Sequence, residues 1–271
     1  MNRKSRNPQP ATRGVAPAFR GDIIGREIIF LETTTSTNDA AFQAAGLRHD
    51  PEGIVVVADS QTAGRGRFGR RWESPPGVNL YFTVLLCPPL QPREVPLLTL
   101  AAGTAAASAI REFTGLKAEI KWPNDIIVNG RKTGGILVEM KTGARRINLL
   151  AAGIGINANM PPGSLPEHIR PFTTSLKAEA GRAVDRAGLF TLILEKLEHA
   201  YKILLNGDKR ALINEWLRLN FTIGKNIQVS TPHGIISGVA EAINDSGELL
   251  IRLSSGELET VRAGDVTVLK N

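Results

Sequence analysis

The stretch IIVNGRKTGGILVEM, residues 126–140, places two apolar runs on either side of an Asn129-Gly130 pair. Asn-Gly between apolar runs signals a hairpin, because both residues tolerate the positive φ of a two-residue turn. The stretch therefore reads as two strands around a turn. A further strand, INLLAAGIGIN (147–157), follows, and upstream EIIFLET (27–33), Ile54–Ala58 and NLYFTVLL (79–86) are short apolar runs that read the same way. Helices are expected between and after them. One runs from Asp39 to Ala45, introduced by the N-cap types Ser36, Thr37 and Asn38 and ended by Gly46. A buried helix over 94–113 contains the Ala-rich LLTLAAGTAAASAI despite Pro96 and Gly103. Two more fall at 187–205, with Leu189, Ile193, Leu197 and Leu204 on one face, and at 208–220. Alternating strands and helices with hairpin-like pairs favour an α+β fold over a doubly wound sheet.

From Ile223 onward the character changes. Only short strand-like runs remain (NIQVS, IISGVAEAI, LLIRL, LETV, VTVLK), separated by turn residues, which suggests a small β-barrel. At the other end, residues 1–20 hold Arg3, Lys4, Arg6, Arg13 and Arg20 and no acid. This stretch supplies most of the net charge of +7, so the charge describes a tail that reads as disordered rather than a basic binding surface. The division expected is a basic tail over 1–24, a catalytic domain over 25–222 and a small domain over 223–271. A chain of 271 residues, 42% hydrophobic and 22% charged, is an ordinary globular protein, neither collagen-like nor largely unstructured. The single cysteine, Cys87, excludes an internal disulfide and a Cys-based zinc cage, and suits a reducing compartment. No apolar run approaches the ~20 residues of a membrane span, and the polar start is no secretory signal, so a cytoplasmic protein is expected.

Three motifs carry chemistry. Gly64-Arg65-Gly66-Arg67-Phe68-Gly69 fits a dinucleotide fingerprint by spacing, but Arg70-Arg71-Trp72-Glu73-Ser74-Pro75-Pro76-Gly77 follows it, which cannot be the required helix. What remains is a glycine loop with Arg65, Arg67, Arg70 and Arg71, donors suited to phosphate or carboxylate. Four like charges so close are expected to repel and keep the loop mobile until an anion arrives. Lys121-Trp122-Pro123-Asn124-Asp125 combines a cation, an aromatic and a carboxylate. Asp125 is placed either to coordinate a cation or to hold a lysine, and the Asn129-Gly130 turn can return Lys132 to it. Gly134 and Gly135 keep the nearby backbone open. Gly153-Ile154-Gly155-Ile156-Asn157-Ala158-Asn159 ends a strand with small residues and two amides. The four histidines show no metal-ligand spacing, and no protease or esterase motif occurs.

In that order, TTSTN (34–38), SQTAGRGRFGRRW (60–72), KWPNDIIVNGRKTGGILVE (121–139) and GIGINAN (153–159), followed by a β-rich end, resemble the biotin–protein ligases over about residues 25–271. The resemblance implies a catalytic domain with a mixed sheet, related to class II aminoacyl-tRNA synthetases, and an SH3-like C-terminal domain. Some relatives carry an N-terminal winged helix; about 24 residues precede the first motif here, too few for a DNA-binding domain of ~50 or more, so a monofunctional form with no specific DNA is expected, and no membrane partner. The implied reaction is attack of biotin's carboxylate on the α-phosphorus of MgATP, giving biotinyl-5′-AMP. A lysine of a biotin carboxyl carrier protein, that of acetyl-CoA carboxylase or a similar carboxylase, then takes the acyl group. A homodimer is expected. Lipoate–protein ligase is the nearest alternative, and the wording of the loop and of KWPND favours biotin.

By position in the motifs, the resemblance assigns Ser36, Thr37, Asn38 and Gln61 to biotin's ureido ring, with Gly135 also against biotin. Arg65, Gly66 and Arg67 would close over carboxylate and phosphate, and Lys132 would bridge the two. Lys121, Arg70, Trp72, Asn124 and Asn157 would serve ATP. Lys132, Arg67 and Asp125 are the catalytic candidates, Asp125 for Mg²⁺ or for the nucleophilic lysine. Some relatives place an arginine near the end of the C-terminal domain; Val266-Thr267-Val268-Leu269-Lys270 has none, and Lys270 is the available cation.

Overall fold

A computed structural model describes residues 19–142, 147–232 and 234–269. Expectations for residues 1–18 and for Lys270 lie outside them. The chain runs β1 (Glu27–Thr34), α1 (Thr37–Ala45), β2 (Ile54–Gln61), β3 (Leu80–Leu86), α2 (Val95–Thr114), β4 (Ala118–Lys121), β5 (Asp125–Val128), β6 (Arg131–Thr142) and β7 (Ile147–Ile156). After it come α3 (Leu176–Ala180), α4 (Arg186–Leu205), α5 (Lys209–Arg218), β8 (Asn226–Thr231), β9 (Gly234–Ile243), β10 (Leu249–Arg252), β11 (Leu258–Val261) and β12 (Asp265–Val268).

The first seven strands form one mixed sheet in the order β1-β2-β3-β7-β6-β5-β4, with β1 and β2 parallel and the other neighbours antiparallel. The expected hairpin is β5–β6: Val128 pairs with Arg131, and Asn129 and Gly130 take φ of 49° and 74°. Strand alternation divides the sheet's two faces. Val55, Val57, Val84, Leu86, Leu150 and Ala152 belong to the main core under α2 and α4. Their neighbours Ile54, Val56, Leu85, Leu149 and Ala151 pack with α1 on the other face. The three leucines and the isoleucine expected on one face of α4 are buried, and Phe82 meets Phe190 edge-on at 4.9 Å between ring centres. Pro96 is tolerated because it sits in the first turn of α2, where no helical partner for its nitrogen is needed. Gly115 ends α2 with φ of 79°.

The C-terminal strands form a separate antiparallel sheet, β11-β10-β9-β8-β12, agreeing with the turn spacing. It is bolted to the body by Trp122. The indole N–H donates to Gly247 O at 3.0 Å, and the Trp122 backbone N–H donates to Thr222 Oγ1 at 2.9 Å.

Candidate active site

A cavity of about 830 Å³ opens where α1, the loop after β2, the β5–β6 hairpin, β7 and β12 meet, and every biotin, ATP and catalytic candidate assigned above among the described residues lines it. The floor is glycine. A Cβ on Gly155 would lie 2.7–2.9 Å from the Trp72 indole, and one on Gly153 would lie 2.4 Å from Asn38 Oδ1. Those two positions must be glycine for the ring and the amide to lie on the β7 backbone.

At one end of the cavity sits the β5–β6 hairpin. Lys132 Nζ is 2.5 Å from Asp125 Oδ1, and Lys121 Nζ is 3.2 Å from Asp125 Oδ2. The turn thus returns Lys132 to Asp125. Burial alone would push the Asp125 carboxyl up, but the two ammonium groups hold it below its ordinary value, so it stays charged. Lys132 also faces the Trp72 ring at 5.4 Å from its centre. Of the two roles left open for Asp125, the geometry is that of a carboxylate holding lysines. Both its oxygens are engaged, and among the described residues no three His, Cys, Asp or Glu side chains converge to hold a metal.

The arginine loop differs from expectation. Its charges are not left to repel, because each has an acid. Arg65 forks onto Asp39 at 2.5 and 2.8 Å and reaches Glu139 at 2.8 Å. Hydrogen bonds to Asp39 and then Glu139 raise the Arg65 guanidinium's affinity for its proton. Arg67 donates to Gly264 O at 3.1 Å and Asn124 Oδ1 at 3.4 Å, and lies 3.7 Å from Asp265. Burial pulls the Arg67 pKa down, opposed by Asp265 and Asp125. Arg70 also pairs with Asp265, and Arg71 with Glu73 at 3.2 Å. Local spacing counted only the cations; apart from Glu73, two residues beyond Arg71, the acids arrive from α1, β6 and β12. Phe68, at the loop's tip, has φ of 54° and is more than half exposed, and Arg67 stacks on its ring.

The opposite wall is polar and buried. Ser36 occupies the N-cap position of α1 without its hydroxyl capping the helix. Gln61 Oε1 accepts the Thr37 backbone N–H at 2.9 Å, while Gln61 Nε2 donates to Ser74 Oγ at 2.8 Å. Asn38 Nδ2 donates to Glu139 Oε2 at 2.7 Å, and Thr83 donates to Asn38 Oδ1 at 2.6 Å. Asn157 Nδ2 donates to Thr174 O at 3.1 Å, and Asn124 Nδ2 to Ile136 O at 2.7 Å, so both amides are oriented by backbone. The sequence reading missed Asp39, Thr83, Glu139 and Asp265, and also the apolar lining from Leu165, Ile169 and Phe172. Only Asp39, beside TTSTN, carried a local signal.

The biotin/lipoate A/B protein ligase family matches residues 30–159, and the biotin protein ligase C-terminal domain matches 222–269. The bifunctional ligase/repressor BirA of Bacillus subtilis is 36% identical over 248 residues, 92% of this chain and 76% of the relative. The biotin–[acetyl-CoA-carboxylase] ligase of Mycobacterium tuberculosis is 30% identical over 267 residues, 93% of this chain and 95% of the relative. Among solved structures, the biotin protein ligase of Aquifex aeolicus in complex with biotin and ATP superposes with a TM-score of 0.76 at 27% identity, covering 91% of this chain and 100% of that one. With relatives of this identity running along nearly its whole length, the chain belongs to the biotin protein ligase family.

Proposed function

We infer that this chain attaches biotin to a lysine of a biotin carboxyl carrier protein, through biotinyl-5′-AMP formed from biotin and ATP. The observation that carries the reading is Lys132, held 2.5 Å from the mostly covered Asp125 in the same cavity as Arg67. Joining two anions requires cations fixed in advance where negative charge collects. Lys132 bridges biotin's carboxylate and the α-phosphate, and Asp125 keeps its ammonium in place. Arg67 and Arg70 take phosphate oxygens. Lys121, Trp72, Asn124 and Asn157 complete the nucleotide end, and Ser36, Thr37, Asn38, Gln61 and Gly135 hold biotin. Arg65 and Gly66 fix the loop that excludes water from the mixed anhydride. Mg²⁺ enters as the counter-ion ATP brings, since both Asp125 oxygens hold ammonium groups.

In the same reading residues 25–222 are the catalytic domain and 223–271 a small domain closing it through β12. The enzyme acts as a cytoplasmic homodimer on the carrier of acetyl-CoA carboxylase or a similar carboxylase, with no specific DNA and no membrane as partner. No helix among the described residues is long and apolar enough to cross a membrane. A mass assay tests the reading. The pure protein is mixed with MgATP, a biotin carboxyl carrier domain and either biotin or lipoate. Biotin mass on one carrier lysine, dependent on ATP, is expected; modification with lipoate alone overturns the substrate. Sedimentation of the same protein tests the dimer.

A further inference from the structure

A chain of side-chain hydrogen bonds runs behind the wall made by Thr37 and Asn38, and its protons have one consistent order. Glu139, on β6, ends it and does not itself line the cavity. Its Oε2 receives the Arg65 guanidinium at 2.8 Å and Asn38 Nδ2 at 2.7 Å. A carboxylate accepts and never donates, so Asn38 must turn its amide nitrogen toward Glu139. The other Nδ2 hydrogen reaches Leu137 O at 3.3 Å, which leaves Oδ1 as all that Asn38 has to offer. Oδ1 lies 2.6 Å from the Thr83 hydroxyl and cannot donate, so the single Thr83 proton is spent there. Thr83 Oγ1 is also 2.9 Å from Thr37 Oγ1, at angles that suit Thr83 and not Thr37 as the donor, so Thr37 does not place its own proton there. The remaining neighbour of the Thr37 hydroxyl is Gln61 Oε1 at 3.2 Å, an acceptor. The Thr37 proton is therefore held inside the protein. Toward a ligand, Thr37 and Asn38 have only lone pairs to give.

We propose that Glu139 is a positioning residue for substrate choice: by fixing the order of these protons it makes the wall select ligands that carry N–H donors, such as a cyclic urea, over rings that have none, such as a dithiolane. The inference rests on the reading of biotin as substrate. Arg65 keeps its forked contact with Asp39 when Glu139 is removed, so loss of Glu139 acts first on Asn38.

Two variants of the full chain separate hydrogen-bond polarity from charge. Glu139→Gln retains an oxygen able to accept from both Asn38 and Arg65; Glu139→Leu keeps the bulk and removes the acceptor. KM and kcat are measured in adenylate formation with biotin, with dethiobiotin (which keeps the urea and lacks the sulfur) and with lipoate. Glu139→Leu is expected to raise KM about tenfold for biotin and dethiobiotin, the worth of one hydrogen bond, and to narrow the preference over lipoate. Its kcat at saturating biotin and its KM for ATP stay within about threefold, and Glu139→Gln stays within about threefold of the parent throughout. Thr83→Val cuts the same chain one link on and gives the same split, so a folding failure of one variant leaves the other to decide. An unchanged biotin KM in Glu139→Leu overturns the proposal. So does Glu139→Gln failing as badly, which makes charge the agent, or an equal rise in KM for ATP, which reports a collapsed site. Parent protein that fails to bind biotin in calorimetry overturns instead the substrate reading beneath it.

Discussion

Arg67 and Asp265 face each other at 3.7 Å, a loop arginine from the body of the enzyme against a carboxylate at the first position of β12. Asp265 also takes Arg70, and Gly264 O takes Arg67, so the half of the loop that carries Arg67 and Arg70 is tied to the C-terminal sheet. The other half is tied, through Arg65, to α1 and β6. The second tie lies within the body and the first crosses to the C-terminal sheet.

Asp265→Asn is expected to free the first half alone. Amide exchange over residues 66–71 rises severalfold in the ligand-free enzyme, while global stability changes by less than about 1 kcal/mol because the Arg70 side chain is largely exposed. The difference shrinks when nucleotide supplies the anion instead. Equal exchange in the two proteins without nucleotide would show that the tie holds nothing.

Lys132→Ala should lower adenylate formation at least about a thousandfold, since one fixed cation serves both anions. The melting transition should persist, because Lys132 is one-third exposed. Pyrophosphate release, followed beside a melting curve, measures both, and near-normal release removes Lys132 from the chemistry.

Arg67→Gly removes the guanidinium that spans Asn124 Oδ1, Gly264 O and Asp265. The adenylate should then leak. Rapid filtration after one turnover ought to find biotinyl-AMP free in solution, and retention equal to the parent's contradicts the closing role.

Asp125 sets a pH dependence whose sign follows from its depressed pKa. The folded value lies below 3.8, so the stabilisation is fully present above about pH 4 and is lost as pH falls through the folded value. The parent should lose stability more steeply than Asp125→Asn on acidification from about pH 5 to 3. At pH 7 the variant should be less stable by on the order of 2 kcal/mol, a buried-pair cost reduced because the lysines are partly exposed. Urea unfolding at the two pH values checks it.

Gly155→Ala puts a methyl where the Trp72 ring lies, 2.7–2.9 Å from three of its atoms. The indole must move off the sheet and away from Lys132. Activity should fall at least about tenfold and Trp fluorescence should shift, while the strand itself accepts alanine. An unmoved fluorescence maximum with full activity would place the ring elsewhere.

Much of the fold was legible because its signals are local. Asn129-Gly130 can do little else than turn, and the apolar runs of β2, β3 and β7 are long enough to stand out. Two elements were missed for equally physical reasons. β4 is a four-residue edge strand with alternating burial, and its Lys121 and Glu119 disguise it; α3 is a single turn capped by Ser175. At the site, the motifs located every candidate that lines the cavity, yet not what holds them. Glu73 sits beside Arg71, but the other acids that neutralise the loop are Asp39, Glu139 and Asp265, and the last two lie far from it in sequence. Repulsion among Arg65, Arg67, Arg70 and Arg71 was the natural reading only because neighbours along the chain are visible in a sequence and neighbours across a fold are not.

Trp122 has a consequence for engineering. Five consecutive residues, Lys121 to Asp125, give the site a lysine, an amide and a carboxylate, while the indole among them is 1% exposed and fastened to Gly247. The pentapeptide is thus at once a reagent and a rivet. It cannot be lifted out as a cassette, because a scaffold lacking the C-terminal sheet would inherit a bare indole along with the chemistry. A ligase trimmed to its ligand-binding half would need a new surface for that one ring before it needed anything else.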